Sequence, residues 1–309
     1  MWKYILKRLI ALIPVIAGVI LIVYLILNFA PGDPAQIALG DEATPEMIHQ
    51  WREAHGLNDP LLVRYFRYLF GVFRGDFGNS LLRAQSPVVD EIMARFPYTV
   101  MLSVASIFIT FLLAFPLGIL AAVKQNTLFD RVSMFVSLIG VSMPVFWMGM
   151  LLLLWFSLGL GWFPSFGADT ARAVVLPAVS LGFGAMASMA RTTRSSMLEV
   201  IRQDYIRTAR AKGLAYGTVV RKHAIRNSLI PTLTIAGIQI GNLLTGTVIV
   251  ETVFAWPGIV RLMIQSILSR DFPMVLGCMV LFTLTFSIIN LVVDLAYAYV
   301  DPRIRAQYS

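Results

Sequence analysis

The 309 residues are 58% hydrophobic and only 14% charged, against about 25% charged in a typical soluble domain, which excludes an ordinary soluble protein. The formal charge of +8 does not by itself imply nucleic acid, because Lys and Arg flanking apolar runs are read first as membrane topology. Cys278 is the single cysteine, which excludes an internal disulfide and a cysteine metal cluster.

The chain opens with MWKYILKRL and an apolar run over 9–30. That run is too long for a signal-peptide core and matches the roughly 20 residues of helix needed to cross a bilayer, so it reads as a retained first span. Pro31, Gly32, Asp33 and Pro34 follow as turn residues. The segment 31–97 carries more acids than bases and holds two helical stretches, PEMIHQWREAHGL and PLLVRYFRYLFGVF, parted by Asn58-Asp59-Pro60. The second is amphipathic and rich in aromatics, a pattern suited to a membrane surface.

Further spans are expected at 98–123, 133–160, 174–191, 232–252 and 275–299. The 174–191 span is short and rich in small residues, as a helix packed inside a bundle would be. The expected fold class is an all-α membrane protein of six transmembrane helices. It divides into 1–30 (N-terminus and first span), the segment 31–97, a five-span core over 98–299 and a tail over 300–309. Lys3, Lys7, Arg8, Lys124, Arg131, the cluster from Arg191 to Arg226, Arg303 and Arg305 share one side. Arg172, Arg261 and Arg270 are the bases of the opposite short loops. The positive-inside rule then places both termini and the basic loop 192–231 in the cytoplasm and 31–97 outside it.

The sequence has no phosphate-binding loop and no metalloprotease or nucleophile-elbow motif. His49 and His55 fall on different helix faces and His223 lies across the membrane, so no metal site is expected. Ser142, Gln239, Asn242 and Glu251 are polar residues in or near spans and are candidates for a solute pathway. An ion-coupled secondary transporter remains an alternative class at this point.

The basic loop reads as a helix over 199–212, a bend at Gly213 and Gly217, and a second helix capped by Thr218, with Pro231 opening the next span. Tyr205, Thr208, Ala209 and Lys212 fall on one face of the first helix. From charge alone this is a helix on anionic lipid; small residues on its face would also suit a protein groove.

IRTARAKGLAYGTVVRKHAIRNSLIP resembles the cytoplasmic loop of permease subunits of binding-protein-dependent ABC importers, in the dipeptide, oligopeptide and nickel branch. That loop has the form Glu-Ala-Ala, three residues, Gly, nine residues, Ile, one residue, Leu-Pro. Anchored on Gly213, Arg207-Thr208-Ala209 takes the Glu-Ala-Ala place, His223 stands for Ile, and the proline is displaced to Pro231. APGDPA, GDFGNS, RTTRSSMLEV, ETVFAWPGIVRL and NLVVDLAYAYVDPRIR extend the resemblance over nearly the whole chain.

The resemblance implies the type I ABC importer permease fold and half of an import pathway for dipeptides, oligopeptides or glutathione, with a nickel complex as the alternative cargo. It implies an inner-membrane complex with a second permease, two ATPase subunits or domains that bind ATP and Mg, and an extracytoplasmic substrate-binding protein. No cofactor is expected in this chain, nor catalysis by it. Asp204, Tyr205, Arg207, Thr208, Ala209, Ala211 and Gly213 would then contact the ATPase. The 31–97 segment, with Pro31, Gly32, Asp33 and Pro34, and the loop bearing Trp256, Pro257 and Gly258 would face the binding protein.

Overall fold

The computed structural model describes residues 2–29, 32–83 and 86–300. In chain order its helices are α1 (Trp2–Phe29), α2 (Pro34–Leu39), α3 (Pro45–Ala54), α4 (Leu61–Phe73), α5 (Val88–Val123) and α6 (Leu128–Ser142). They continue with α7 (Val145–Leu152, prolonged as a π-helix over Leu153–Gly159), α8 (Val175–Ile201), α9 (Asp204–Ala211) and α10 (Tyr216–Val219, followed by a π-helix over Val220–Ala224). The last three are α11 (Ile225–Val253), α12 (Ile259–Leu268) and α13 (Phe272–Val300). The β pairing found among the described residues is an isolated Asn79–Pro87 bridge.

By length and apolarity α1, α5 and α13 can each cross a membrane, and α6 with α7 forms a fourth candidate that is bent by 113°. The expected single span at 133–160 is therefore two legs. Pro144 has no N–H to offer the helix and pushes Met143 into the extended region, at φ −81° and ψ 126°. α8 and α11, at 27 and 29 residues, are long enough to span at 1.5 Å per residue. They cover the expected fourth and fifth spans but are less apolar than α1, α5 and α13.

Two compact units are formed. One gathers the chain up to Thr99 with Pro257–Leu291, so the 31–97 segment shares its core with α1, α12 and the start of α13. Ile16, Ile20, Val23 and Leu27 of α1 pack with Tyr65 of α4 and with Val275, Leu276 and Val280 of α13. Val88 and Ile92 pack with Ile259, Leu262, Met274 and Cys278. Asp271, just before α13, is buried and accepts hydrogen bonds from the Ser80 hydroxyl and, at 3.1 Å, from the Leu81 N–H. That pair pins the GDFGNS turn. α12 occupies a stretch that the sequence pattern reads as a plain loop. Its first residue, Ile259, donates its N–H to Thr99 Oγ1 at 2.9 Å.

The other unit, Val100–Trp256 with the chain beyond Leu291, is organised around α8. Ala178, Ser180, Leu181, Gly182, Ala185, Ala187, Ala190 and Thr193 of α8 are all buried. Small side chains let backbones approach closely, which is the main source of cohesion between helices that lipid surrounds. A Cβ on Gly182 would lie 2.6 Å from Thr110 Oγ1 and 3.1 Å from the Ser106 carbonyl. A Cβ on Gly118 would lie 2.6 Å from the Ala190 carbonyl.

These contacts predict that Gly182→Ala lowers stability by about 1–3 kcal/mol through overpacking. Gly184→Ala, whose added carbon meets its nearest neighbour at 3.4 Å, should be tolerated. Thermal unfolding of both variants in detergent checks the contrast; equal melting temperatures would remove the packing argument.

Candidate functional site

The helix expected over 199–212 is split in the structure: its start belongs to α8 and the remainder to the separate helix α9. α8 runs on to Ile201, Gln203 is extended (φ −70°, ψ 150°), and α9 then starts afresh at Asp204. The restart turns Ile206 and Ala209 inward. They are 1% and 8% exposed and pack with Ala122 of α5, Met197 of α8, Val219 of α10, and Val220 and Ala224 after it. α9 stops where expected. Lys212 closes it, and Gly213 follows with φ +78°, a conformation that glycine adopts without the cost a side chain would add.

Side-chain contacts hold the two arms of the loop together. Asn227 Nδ2 donates to Tyr205 Oη at 2.9 Å and to the His223 carbonyl at 3.1 Å. The Arg210 guanidinium lies 4.7 Å from the centre of the Tyr216 ring, close enough for cation–π attraction. Asp204 and Arg207 form an exposed i,i+3 pair at 3.6 Å, which stabilises a helix only slightly. α10 begins after Ala215 rather than at a Thr218 cap, and Pro231 lies inside α11 rather than opening it.

A stronger contact sits where α6 begins. Asp130 is 3% exposed and accepts from Arg194 Nε at 2.5 Å and Nη2 at 2.8 Å. It also accepts from the Asn126 N–H at 3.0 Å, and Thr127 caps the same helix turn. The fork of the guanidinium suits such a bidentate partner. The sequence pattern reads Arg194 as a topology marker; in the structure it is paired with a carboxylate of its own chain. The pattern Thr127-Leu128-Phe129-Asp130 is a capping-box signature that would have placed Asp130 at a helix start.

Of the expected ATPase-contact residues, Asp204, Tyr205, Arg207, Thr208, Ala211 and Gly213 are exposed, whereas Ala209 is turned into its own chain. The pathway candidates among the described residues differ in exposure. Ser142 is exposed on a shallow cleft of about 350 Å³ with Ile139, Met143, Pro144, Phe146 and Trp147. Gln239 is half-buried and Glu251 fully buried, while the side chain of Asn242 lies outside the described residues.

The expected binding-protein face changes most. Trp256 is fully buried, with Phe254, in the core around α8, so it offers no surface to a partner. Gly258 is also buried and Pro257 is half-buried. Asp33 caps α2, accepting from the Ala35 N–H, and Pro34 is buried as its first residue. Gly32 is exposed, and Pro31 lies outside the described residues.

Residues 114–306 match the family described as "Binding-protein-dependent transport system inner membrane component", and residues 1–103 match that family's N-terminal region. The chain is 44% identical over 305 residues to the "Glutathione transport system permease protein GsiC" of Salmonella paratyphi A, covering 99% of each chain. It is 40% identical to the "Dipeptide transport system permease protein DppB" of Alkalihalophilus pseudofirmus, covering 99% of this chain and 100% of that one. Among solved structures, an inward-facing form of the MetNI methionine ABC transporter superposes with a TM-score of 0.57 at 21% identity. That match covers 68% of this chain and 96% of the other.

Breaking the Asp130–Arg194 pair from one side leaves a poorly solvated charge, a loss of about 3–5 kcal/mol for a buried pair. Asp130→Ala is therefore expected to destabilise strongly, and the double variant Asp130→Leu with Arg194→Met to recover most of the loss. Denaturant unfolding of the two singles and the double completes the cycle; simple additivity would show that the two residues do not act as a unit.

Proposed function

The chain belongs to the inner membrane components of binding-protein-dependent transport systems, and on that premise we propose that it forms half the import pathway for short peptides or glutathione. The relatives named for glutathione and dipeptide transport support that cargo class. The sequence carries no phosphate-binding loop, so the driving force comes from two ATPase subunits or domains that bind ATP and Mg. A second, homologous permease completes the pathway, and an extracytoplasmic binding protein delivers the solute. Both termini and the 192–231 loop lie in the cytoplasm, in keeping with the distribution of Lys and Arg.

The two faces of α9 carry this reading. Ile206 and Ala209 are locked among the ends of α5, α8 and α10, while Arg207, Thr208 and Ala211 stand exposed. A push on the exposed face therefore passes into long helices rather than being absorbed by a loose loop. When the ATPases close on ATP, α9 moves with them and the pathway opens outward to the docked binding protein; hydrolysis returns it inward. Nucleotide and binding protein act by shifting the balance of these two states. Ser142 and Gln239 are the pathway residues this reading retains, and Gly32 with the 31–97 segment forms the face for the binding protein.

Ala211 is the sharpest test position, because it is exposed and helical, whereas a bulky residue at Gly213 would strain a backbone at φ +78°. Ala211→Trp should leave membrane insertion intact and reduce ATP-dependent peptide or glutathione uptake by at least about tenfold, equivalent to 1.4 kcal/mol. Uptake is measured in proteoliposomes holding the purified complex. Unchanged uptake would sink the assignment of α9 as the contact with the ATPase.

A further inference from the structure

α9 touches the rest of the chain in two different ways. Ile206 and Ala209 press into an apolar cluster with Ala122, Met197, Val219, Val220 and Ala224. Contacts of that kind hold a helix against its neighbours but have no preferred direction, so the helix can still pivot on them. The hydrogen bond from Asn227 Nδ2 to Tyr205 Oη, at 2.9 Å, is different. Hydrogen bonds weaken steeply when bent, so this one fixes an angle as well as a distance. Among the described residues it is the side-chain hydrogen bond that joins α9 to a long helix, α11.

Asn227 is itself held in place. A side-chain amide nitrogen carries two hydrogens, and the second goes to the His223 carbonyl at 3.1 Å. His223 belongs to the π-helical turn Val220–Ala224, after which α11 begins. Such wide turns are uncommon in helices and recur at functional positions. Ser228, next in the chain, is 1% exposed, and its hydroxyl donates to Met197 Sδ of α8 at 2.9 Å. Two neighbouring residues at the head of α11 therefore reach α9 at the surface and α8 in the interior. Further along, Leu243 and Val250 of α11 share a core with Ala178, Leu181 and Ala185 of α8.

We propose that Asn227 is a positioning residue for transport. By gripping Tyr205 it sets the angle of α9 against α11, so that a displacement of α9 turns α11 as well as pressing on α5 and α8. The inference rests on the reading of α9 as the ATPase contact and adds the helix that follows its motion. α11 also carries Gln239, one of the pathway residues of that reading. One exposed hydrogen bond is a modest link, worth a few-fold in an equilibrium. Its loss therefore loosens the coupling of hydrolysis to uptake rather than abolishing transport.

The test uses the complex that co-purifies with the full chain, reconstituted with its binding protein in proteoliposomes. ATP hydrolysis and uptake are measured together, with glutathione and a dipeptide as the solutes. Asn227→Leu, similar in volume but without a donor, should lower the solute carried per ATP by about three- to tenfold, the range one ordinary hydrogen bond can supply. Tyr205→Phe, which removes only the hydroxyl, should give the same drop, and the double variant should fall no further. The melting temperatures of all three should stay near that of the wild type, since water takes up the freed groups at an exposed site. An unchanged ratio in Asn227→Leu, or additive losses in the double variant, overturns the proposal. So does a parallel loss of uptake, hydrolysis and melting temperature, which marks a merely structural tie. Ala211→Trp is measured alongside. Reduced uptake there with an unchanged ratio in Asn227→Leu keeps α9 on the ATPase and removes only the link to α11; unchanged uptake in both variants removes both.

Discussion

The burial of Ile206 and Ala209 is the constraint on which the rest of this account depends. A helix of eight residues has little stability of its own in water, because nucleation is costly and few backbone bonds follow it. α9 is therefore held by tertiary contacts: two apolar side chains wedged among the ends of α5, α8 and α10, and Tyr205 tied to Asn227. Fixing the inner face is what gives the outer face a defined position. Without it, Arg207, Thr208 and Ala211 would decorate a mobile loop and could transmit no displacement. Asp130 and Arg194 brace the same region by joining the first turn of α6 to α8.

The core around α8 shows how such a displacement can propagate. Its buried positions are chiefly Ala, Gly, Ser and Thr, so neighbouring backbones touch nearly directly, with few flexible side chains between them to absorb motion. Close-packed interfaces of this kind resist continuous deformation and favour discrete arrangements. The break at Met143-Pro144 adds a fixed bend to this unit. Its cause is covalent, the missing N–H of proline, so the bend does not depend on a partner for its existence.

Much of this was legible in the sequence because it rests on local rules. Long apolar runs located α1, α5 and α13, the Asn58-Asp59-Pro60 turn parted α3 from α4, and Gly213 ended α9. The features that escaped depend on contacts between residues far apart in the chain. Gln203 reads as an ordinary helix residue, and only the packing of Ile206 onto Met197 and Ala122 shows why the helix restarts there. Arg194 looks like one more topology marker until Asp130, 64 positions earlier, is brought beside it. Trp256, in a loop-like ETVFAWPGIV run, read as surface but fills the core with Phe254. α12, at ten residues, is too short to stand out as a span, although Ile259, Leu262 and Ser266 recur at helical spacing.

The claim that the outer face of α9 meets an ATPase is tested most directly by cross-linking. Cys278 is buried in its own chain, and a thiol in apolar surroundings reacts poorly, so a cysteine introduced as Ala211→Cys supplies the reactive group. Treated with a short bifunctional thiol–amine reagent in native membranes, this variant should form one adduct with a nucleotide-binding partner, and its yield should change when ATP is added. An adduct confined to lipid or to the chain itself, with no partner captured in either nucleotide state, would contradict the account and return the loop to the membrane surface.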